Sequence, residues 1–218
     1  MVKSTVFLPC LVMFILFNCH QTSAQPWNFV KEKNGIKIYT RAEENSSFKS
    51  YKGETILHAG MQIISRYIGN VKNFSWWDKN IRELRVLDQQ SSDNKIRYYF
   101  VYQVPWPLND RDFCVDVTID VDSVSGEKVV FAQPYPEEIP ERKGIVRIKK
   151  YWQRWTLHPI GKNAVNATLE GFVDPGGNVP SWLYNMVIVE TPLKVMEGIK
   201  MKVEENPTNL SPLETTPR

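Results

Sequence analysis

The sequence is poor in cysteine. Two of its three cysteines, Cys10 and Cys19, lie within the first 24 residues, which leaves Cys114 as the only thiol of the remaining chain. If the first 24 residues are removed, no disulfide can form within the chain. The remaining 194 residues suit one domain, which must be held together by the packing of a hydrophobic core.

The sequence also lacks a strong charge imbalance and the usual metal or catalytic motifs. Its formal net charge is +3, with basic and acidic residues alternating along the chain, so nucleic acid is not expected as a partner. His58 and His158 lie far apart and have no nearby cysteine, and this spacing does not fit a metal site. No Gly-x-Ser-x-Gly or Gly-rich phosphate loop is present. We therefore predict no metal, no cofactor and no catalytic residues.

The N-terminus has the features of an export signal. Lys3 is followed by the apolar run Val6 to Phe17 and then by the small residues Thr22-Ser23-Ala24. The run is shorter than the ~20 residues that span a bilayer. We predict a signal peptide over residues 1–24 and export to a periplasm or the cell exterior. Two alternatives stay open: lipoprotein anchoring at Cys19, which is the weaker export route, and a buried N-terminal helix or strand.

Apolar periodicity predicts one α+β domain over residues 25–205, followed by a flexible tail over 206–218. Residues 112–121 alternate apolar and polar side chains, as expected for an antiparallel sheet with one face in water. Residues 145–157 read as one long strand. Helical spacing covers His58 to Val71 and Pro180 to Glu205, the longest helical pattern, in which Pro192 predicts a kink.

Four motifs follow one another along the chain: Trp27 with Gly35-Ile36-Lys37-Ile38-Tyr39, Trp76-Trp77-Asp78, the segment from Val104 to Phe113 (VPWPLNDRDF), and the segment from Gly176 to Asn185. In this order they resemble the motifs of START domains, the lipid-transfer domains related to the steroidogenic acute regulatory protein. The resemblance covers residues 27–203. It implies a helix-grip fold, in which a strongly curved antiparallel sheet wraps around a long C-terminal helix and encloses an apolar cavity.

The same resemblance implies binding and transfer of a lipid or other hydrophobic small molecule, without catalysis. The expected protein is a monomer that contacts membrane surfaces transiently. An alternative within the wider helix-grip superfamily is an enzyme of the cyclase or aromatase type. It would need an inward-facing acid–base cluster such as Arg97, Tyr99 and Glu170. A third hypothesis is that the protein is an adaptor that binds no ligand, because side chains fill its cavity.

Candidate ligand contacts are residues on apolar strands and on the terminal helix. The candidates for the cavity lining are Arg97, Tyr99, Arg147, Tyr151, Trp152, Asn185, Met186 and Val189. The two arginines could bind a head group through charge-assisted hydrogen bonds. Trp76, Trp77 and Trp106 are predicted to lie at the cavity rim and to contact the membrane, because the tryptophan ring suits an interface.

Overall fold

One sheet of ten strands organises the part of the chain that the computed structural model describes, which is residues 25–70, 79–90, 94–135 and 139–204. The strands are β1 (Asn28–Lys33), β2 (Ile36–Ala42), β3 (Lys49–Leu57), β4 (Ile81–Gln90), β5 (Lys95–Tyr102), β6 (Asp110–Val121), β7 (Lys128–Pro134), β8 (Ile145–Arg147), β9 (Tyr151–Gly161) and β10 (Ala164–Val173). Their spatial order is β1-β2-β3-β10-β9-β7-β6-β5-β4, with antiparallel neighbours throughout. Strand β8 pairs with β6 in parallel.

The sheet has two faces with different partners. We call inner the face that carries the main hydrophobic core, which includes Ile38, Tyr51, Val115, Trp155 and Leu169. Because successive side chains of a strand point to opposite faces, the residues between them form the outer face. The inner face is closed by the C-terminal helices, so ligand contacts depend on which side chains of each strand point inward.

Two helices, rather than one, end the described chain. Helix α2 spans Ser181–Val187 and α3 spans Glu190–Glu204. Pro192 lies in the first turn of α3, where its missing N–H needs no partner. The same proline cannot continue a helix that began at Ser181. The predicted single helix with a kink is therefore corrected to two helices with a break at residues 188–189.

Helix α3 packs directly on the inner face. Its buried side chains include Leu193, Met196, Ile199 and Val203, which recur at helical spacings of three and four. At Gly53 on β3, a Cβ would lie 2.7 Å from the Sδ of Met196. Any larger residue at this position would force Met196 to shift, so the glycine favours the close approach of the helix to the sheet.

Two further sequence predictions are corrected. The expected helix over 58–71 is reduced to α1 (Met61–Ile64), and the following turns lead to Gly69 with φ +84°. The expected single strand over 145–157 is divided into β8 and β9, because the chain leaves the parallel pairing with β6 after Arg147.

The predicted signal peptide (1–24) and tail (206–218) lie outside the described residues. No helix in the described ranges is long and apolar enough to cross a bilayer.

Candidate functional site

A small polar cluster lies on the inner face beneath α2. Gln153 on β9 donates a hydrogen bond from Nε2 to the Tyr51 hydroxyl on β3, at 3.1 Å. The Tyr51 ring lies over Gly171 of β10, where any side chain would collide with it. Burial raises the pKa of Tyr51 to about 12, and the hydrogen bond from Gln153 opposes part of that rise. Tyr51 is therefore a neutral hydrogen-bonding group inside an apolar core.

Tyr184 adds a hydroxyl that has no hydrogen-bond partner in the described part of the chain. It projects from α2 against the core, and its ring meets Phe48 edge-on with the centroids 5.2 Å apart. Its hydroxyl is buried and makes no hydrogen bond to any described residue. Burial, with smaller effects from Tyr51 and Asp174, raises the pKa of Tyr184 far above its usual value. A buried hydroxyl without a partner costs ~1–3 kcal/mol, so it is well suited to accept or donate a bond to a ligand.

Asn185 holds α2 against the loop between β2 and β3. Its Oδ1 accepts a hydrogen bond from the backbone N–H of Lys49 at 2.9 Å, and its Nδ2 donates to the backbone carbonyl of Ser47 at 2.9 Å. We call this pair of bonds the Asn185 clamp. No residue of α2 itself is fully buried. The attachment of α2 to the rest of the domain therefore depends strongly on a few polar contacts.

Polar contacts also tie α3 to the first two strands. Lys31 pairs with Glu190 at the start of the helix. Asn34 donates from Nδ2 to Glu197 Oε1 at 2.8 Å, and Lys200 Nζ donates to the Asn34 carbonyl at 3.2 Å. These bonds are solvent-accessible, and exposed pairs contribute little stability. They fix the position of the helix, while most of the free energy that holds it on the sheet comes from its buried apolar side chains.

The outward side of α2 carries exposed apolar residues. Trp182 is 69% exposed, Met186 61% and Val187 50%. In the loop between β5 and β6, Trp106 is 92% exposed and Leu108 36%. A short helix with a bare apolar side is unfavourable in water and suits contact with an apolar surface.

The predicted cavity residues are divided between the two faces of the sheet. Tyr151 is on the inner face, and its hydroxyl lies 2.7 Å from the Cys114 carbonyl oxygen and 3.0 Å from that of Gln133. Val189, between α2 and α3, packs against the main core. Asn185 forms the clamp, and Met186 points outward from α2. Their contacts with a ligand stay predictions.

Arg97, Tyr99 and Arg147 lie together on the outer face. Arg97 Nε donates to Asp116 at 3.3 Å. Arg147 makes two bonds to Asp112, from Nε at 2.8 Å and from Nη2 at 3.0 Å. The Tyr99 hydroxyl donates to the same carboxylate at 3.1 Å. Arg147 and Asp112 are almost completely buried, so their pairing with each other accounts for their burial without a ligand.

Trp152 lines a shallow groove on the outer face. The groove has a volume of about 390 Å³, and its walls are Arg41, Phe131, Trp152, Arg154 and Glu170. The guanidinium of Arg154 lies over the Phe131 ring at 5.2 Å from its centroid. Trp106 is exposed, but its contact with a cavity rim or a membrane stays a prediction. Trp76 and Trp77 lie outside the described residues. Within the described ranges, no group of three or more metal-binding side chains occurs.

The sequence predictions missed Tyr184 and Gln153. Tyr184 immediately precedes Asn185 in a motif already recognised. Gln153 is the polar residue between Tyr151 and Trp155 in the inward-facing row of β9. Gln153 could have been found as a polar residue within an apolar row, because a buried polar group needs a hydrogen-bond partner.

Comparisons with known proteins agree with this architecture. The family model of the START domain matches residues 15–207. An uncharacterised protein of Pseudomonas aeruginosa is 30% identical over 182 residues, covering 84% of this chain and 89% of that protein. The phosphatidylcholine transfer protein of Rattus norvegicus is 28% identical over 163 residues, covering 73% of this chain and 75% of that protein.

Solved structures have the same fold. A crystal structure of a fragment of the STAR-related lipid transfer protein from Xanthomonas axonopodis matches with a TM-score of 0.73 at 29% identity, covering 82% of this chain and 98% of the fragment. Human StAR-related lipid transfer protein 5 matches with a TM-score of 0.75 at 16% identity, covering 87% and 90% of the two chains. The family match over most of its length shows that the chain belongs to the START domain family.

Proposed function

We propose that this protein binds a lipid between the inner face of its sheet and helices α2 and α3, and transfers it between membranes without chemical change. The Tyr184 hydroxyl carries the proposal, because it is buried in an apolar core and makes no hydrogen bond to any described residue. A lipid ester or hydroxyl would supply the missing hydrogen bond. The apolar side chains around it would cover the acyl chains, at ~0.8 kcal/mol for each buried methylene.

Helices α2 and α3 serve as the lid in this proposal. In the described structure α3 contacts β3 closely at Gly53, so a lipid enters only if the helices move away from the sheet. Helix α2, of which no residue is fully buried, can move at lower cost than α3, whose buried side chains would have to leave the core. The exposed Trp182, Met186 and Trp106 would contact the membrane while the lid is open.

The relatives support lipid as the ligand class. The rat protein that matches most of this chain is named for phosphatidylcholine transfer, and the Xanthomonas structure is titled as a lipid transfer protein. The leader-like residues 1–24 support export, so we place the proposed transfer in a periplasm or outside the cell.

The cyclase alternative gains no specific support from the site. Arg97 and Tyr99 lie on the outer face with Asp116 and Asp112 as partners. Glu170 lines the outer groove. The inward-facing cluster that an acid–base mechanism requires is therefore not formed by these three residues.

The test is a transfer assay between donor vesicles with fluorescent phosphatidylcholine and unlabelled acceptor vesicles. The purified protein should accelerate transfer. Tyr184→Phe should weaken lipid binding by about tenfold, the cost of one lost hydrogen bond in a dry site, with little change in stability. Tyr39→Phe, which lies on the outer face of β2, is a matched control. Equal transfer by wild type and Tyr184→Phe would remove the proposed role of the hydroxyl, and no transfer by wild type would refute the carrier function.

A further inference from the structure

Lys128 is a buried cation on the inner face. It begins β7, where it pairs in register with Leu157 of β9 and Val121 of β6. Only 8% of the residue is exposed. Its side chain points to the same face as Val130 of the main core, at the end of the sheet that α1 covers. Lysine is rarely buried to this degree unless a partner compensates its charge.

The compensation within the protein is slight. The ammonium donates a hydrogen bond to the backbone carbonyl of Ile68 at 3.2 Å. Among the described residues, no carboxylate forms an ion pair with it. An ammonium group has three N–H donors, so two of them have no acceptor in the described part of the protein.

Gly69 lies close to the ammonium and to two apolar side chains of the core. A Cβ at Gly69 would lie 3.3 Å from Lys128 Nζ and 3.2 Å from methyl groups of Ile119 and Val130. Gly69 also has φ +84°, so a glycine is favoured there on two grounds. Burial lowers the pKa of Lys128, which means that the surroundings disfavour its charged form.

We propose that Lys128 anchors the anionic head group of the bound lipid, a phosphate or a carboxylate, at the α1 end of the inner face. This proposal rests on the lipid-carrier function. Gln153, beside Tyr51, and Leu157, beside Lys128, are four residues apart on β9, or about 13 Å along the strand. A lipid that spans this distance can bond to Lys128 with its head group and place a second polar group beside Tyr51, which lies close to the Tyr184 hydroxyl.

A purely structural role for Lys128 makes a different prediction. Its bond to the Ile68 carbonyl ties the turn after α1 to the sheet, as lysines near helix ends commonly do. Loss of that bond alone would lower stability and would affect all lipids equally. Loss of a head-group anchor would change the preference between anionic and zwitterionic lipids.

The test compares transfer of fluorescent phosphatidylglycerol and phosphatidylcholine from otherwise identical vesicles, using the full protein and its variants. Wild type should prefer phosphatidylglycerol. Lys128→Met, which keeps the length of the side chain, should lower that preference about tenfold, and Lys128→Arg should retain most of it. Lys143→Met, which removes one exposed positive charge, controls for attraction between the protein and charged vesicles.

The outcomes are separable. An unchanged preference in Lys128→Met, or a loss that Lys143→Met reproduces, would overturn the head-group assignment while leaving the carrier function intact. Wild type that transfers phosphatidylcholine without preferring phosphatidylglycerol would do the same. Wild type that transfers neither lipid would refute the carrier function and this assignment with it. Native mass spectrometry with inorganic phosphate alone separates a free anion from a head group: retention of phosphate without any lipid preference would contradict the assignment.

Discussion

Replacing Asn185 by alanine should release α2 and speed lipid exchange. The Asn185 clamp contributes two hydrogen bonds, both 2.9 Å long, between α2 and the backbone of Ser47 and Lys49. Both partners are backbone groups, so they persist in every variant of the loop. The substitution therefore removes the clamp without changing the surface on which α2 rests.

The size of the effect follows from the exposure of these bonds. A buried pair would be worth ~2 kcal/mol, but water can replace both bonds at this partly exposed site, so we take ~1 kcal/mol for the pair. This corresponds to about a fivefold increase in the open fraction of the lid. Alanine also favours the helical state of α2 by a few tenths of a kcal/mol, which strengthens the helix without attaching it to the loop.

The assay is vesicle-to-vesicle lipid transfer at saturating acceptor, alongside urea unfolding. Asn185→Ala should raise the transfer rate about fivefold if lid opening limits it, and should lower the free energy of unfolding by ~1 kcal/mol. Asn185→Asp, which keeps the acceptor for the Lys49 N–H and loses the donor to Ser47, should give an intermediate rate. A lowered stability with an unchanged transfer rate in both variants would refute α2 as the lid.

Two further predictions concern the stability of the fold. Arg147→Met should destabilise the domain by about 3–5 kcal/mol in urea unfolding, because it strands the buried Asp112 carboxylate; adding Asp112→Asn should recover part of the loss, and an additive double variant would contradict the pairing argument. Burial raises the pKa of Tyr51 to about 12 from 10.0, so the unfolded state loses this proton at a lower pH than the folded state. The stability that Tyr51 contributes in this way should be fully present below about pH 10 and should be lost between pH 10 and 12. Tyr51→Phe should reduce that slope, and an unchanged slope would show that other groups cause it.

The order of the elements was largely predictable, and the ends of several were not. The alternation of residues 112–121 predicted β6, and four motifs predicted the helix-grip fold that the structure and the family match confirm. Pro192 was recognised as a disturbance, but its position in the first turn of α3 depends on where α2 stops. Strand β4 was missed because its charged residues, such as Arg82, Glu83 and Arg85, interrupt the apolar pattern at a sheet edge.

The sequence did not allow us to predict on which face of the sheet each site residue lies. On β5, Ile96 and Tyr98 belong to the main core on the inner face, while Tyr99 and Val101 form a second cluster with Cys114 on the outer face. Both rows of this strand are apolar because the segment that includes Ile139 and Ile145 covers part of the outer face. Periodicity alone therefore gave no way to decide which row points inward.

The central claim, that the inner face holds a lipid, is tested most directly by native mass spectrometry of the protein purified from its own host, followed by extraction and lipid analysis. We predict one lipid per chain, with an anionic head group. A protein that emerges empty, and stays empty after incubation with vesicles of mixed lipids, would contradict the claim.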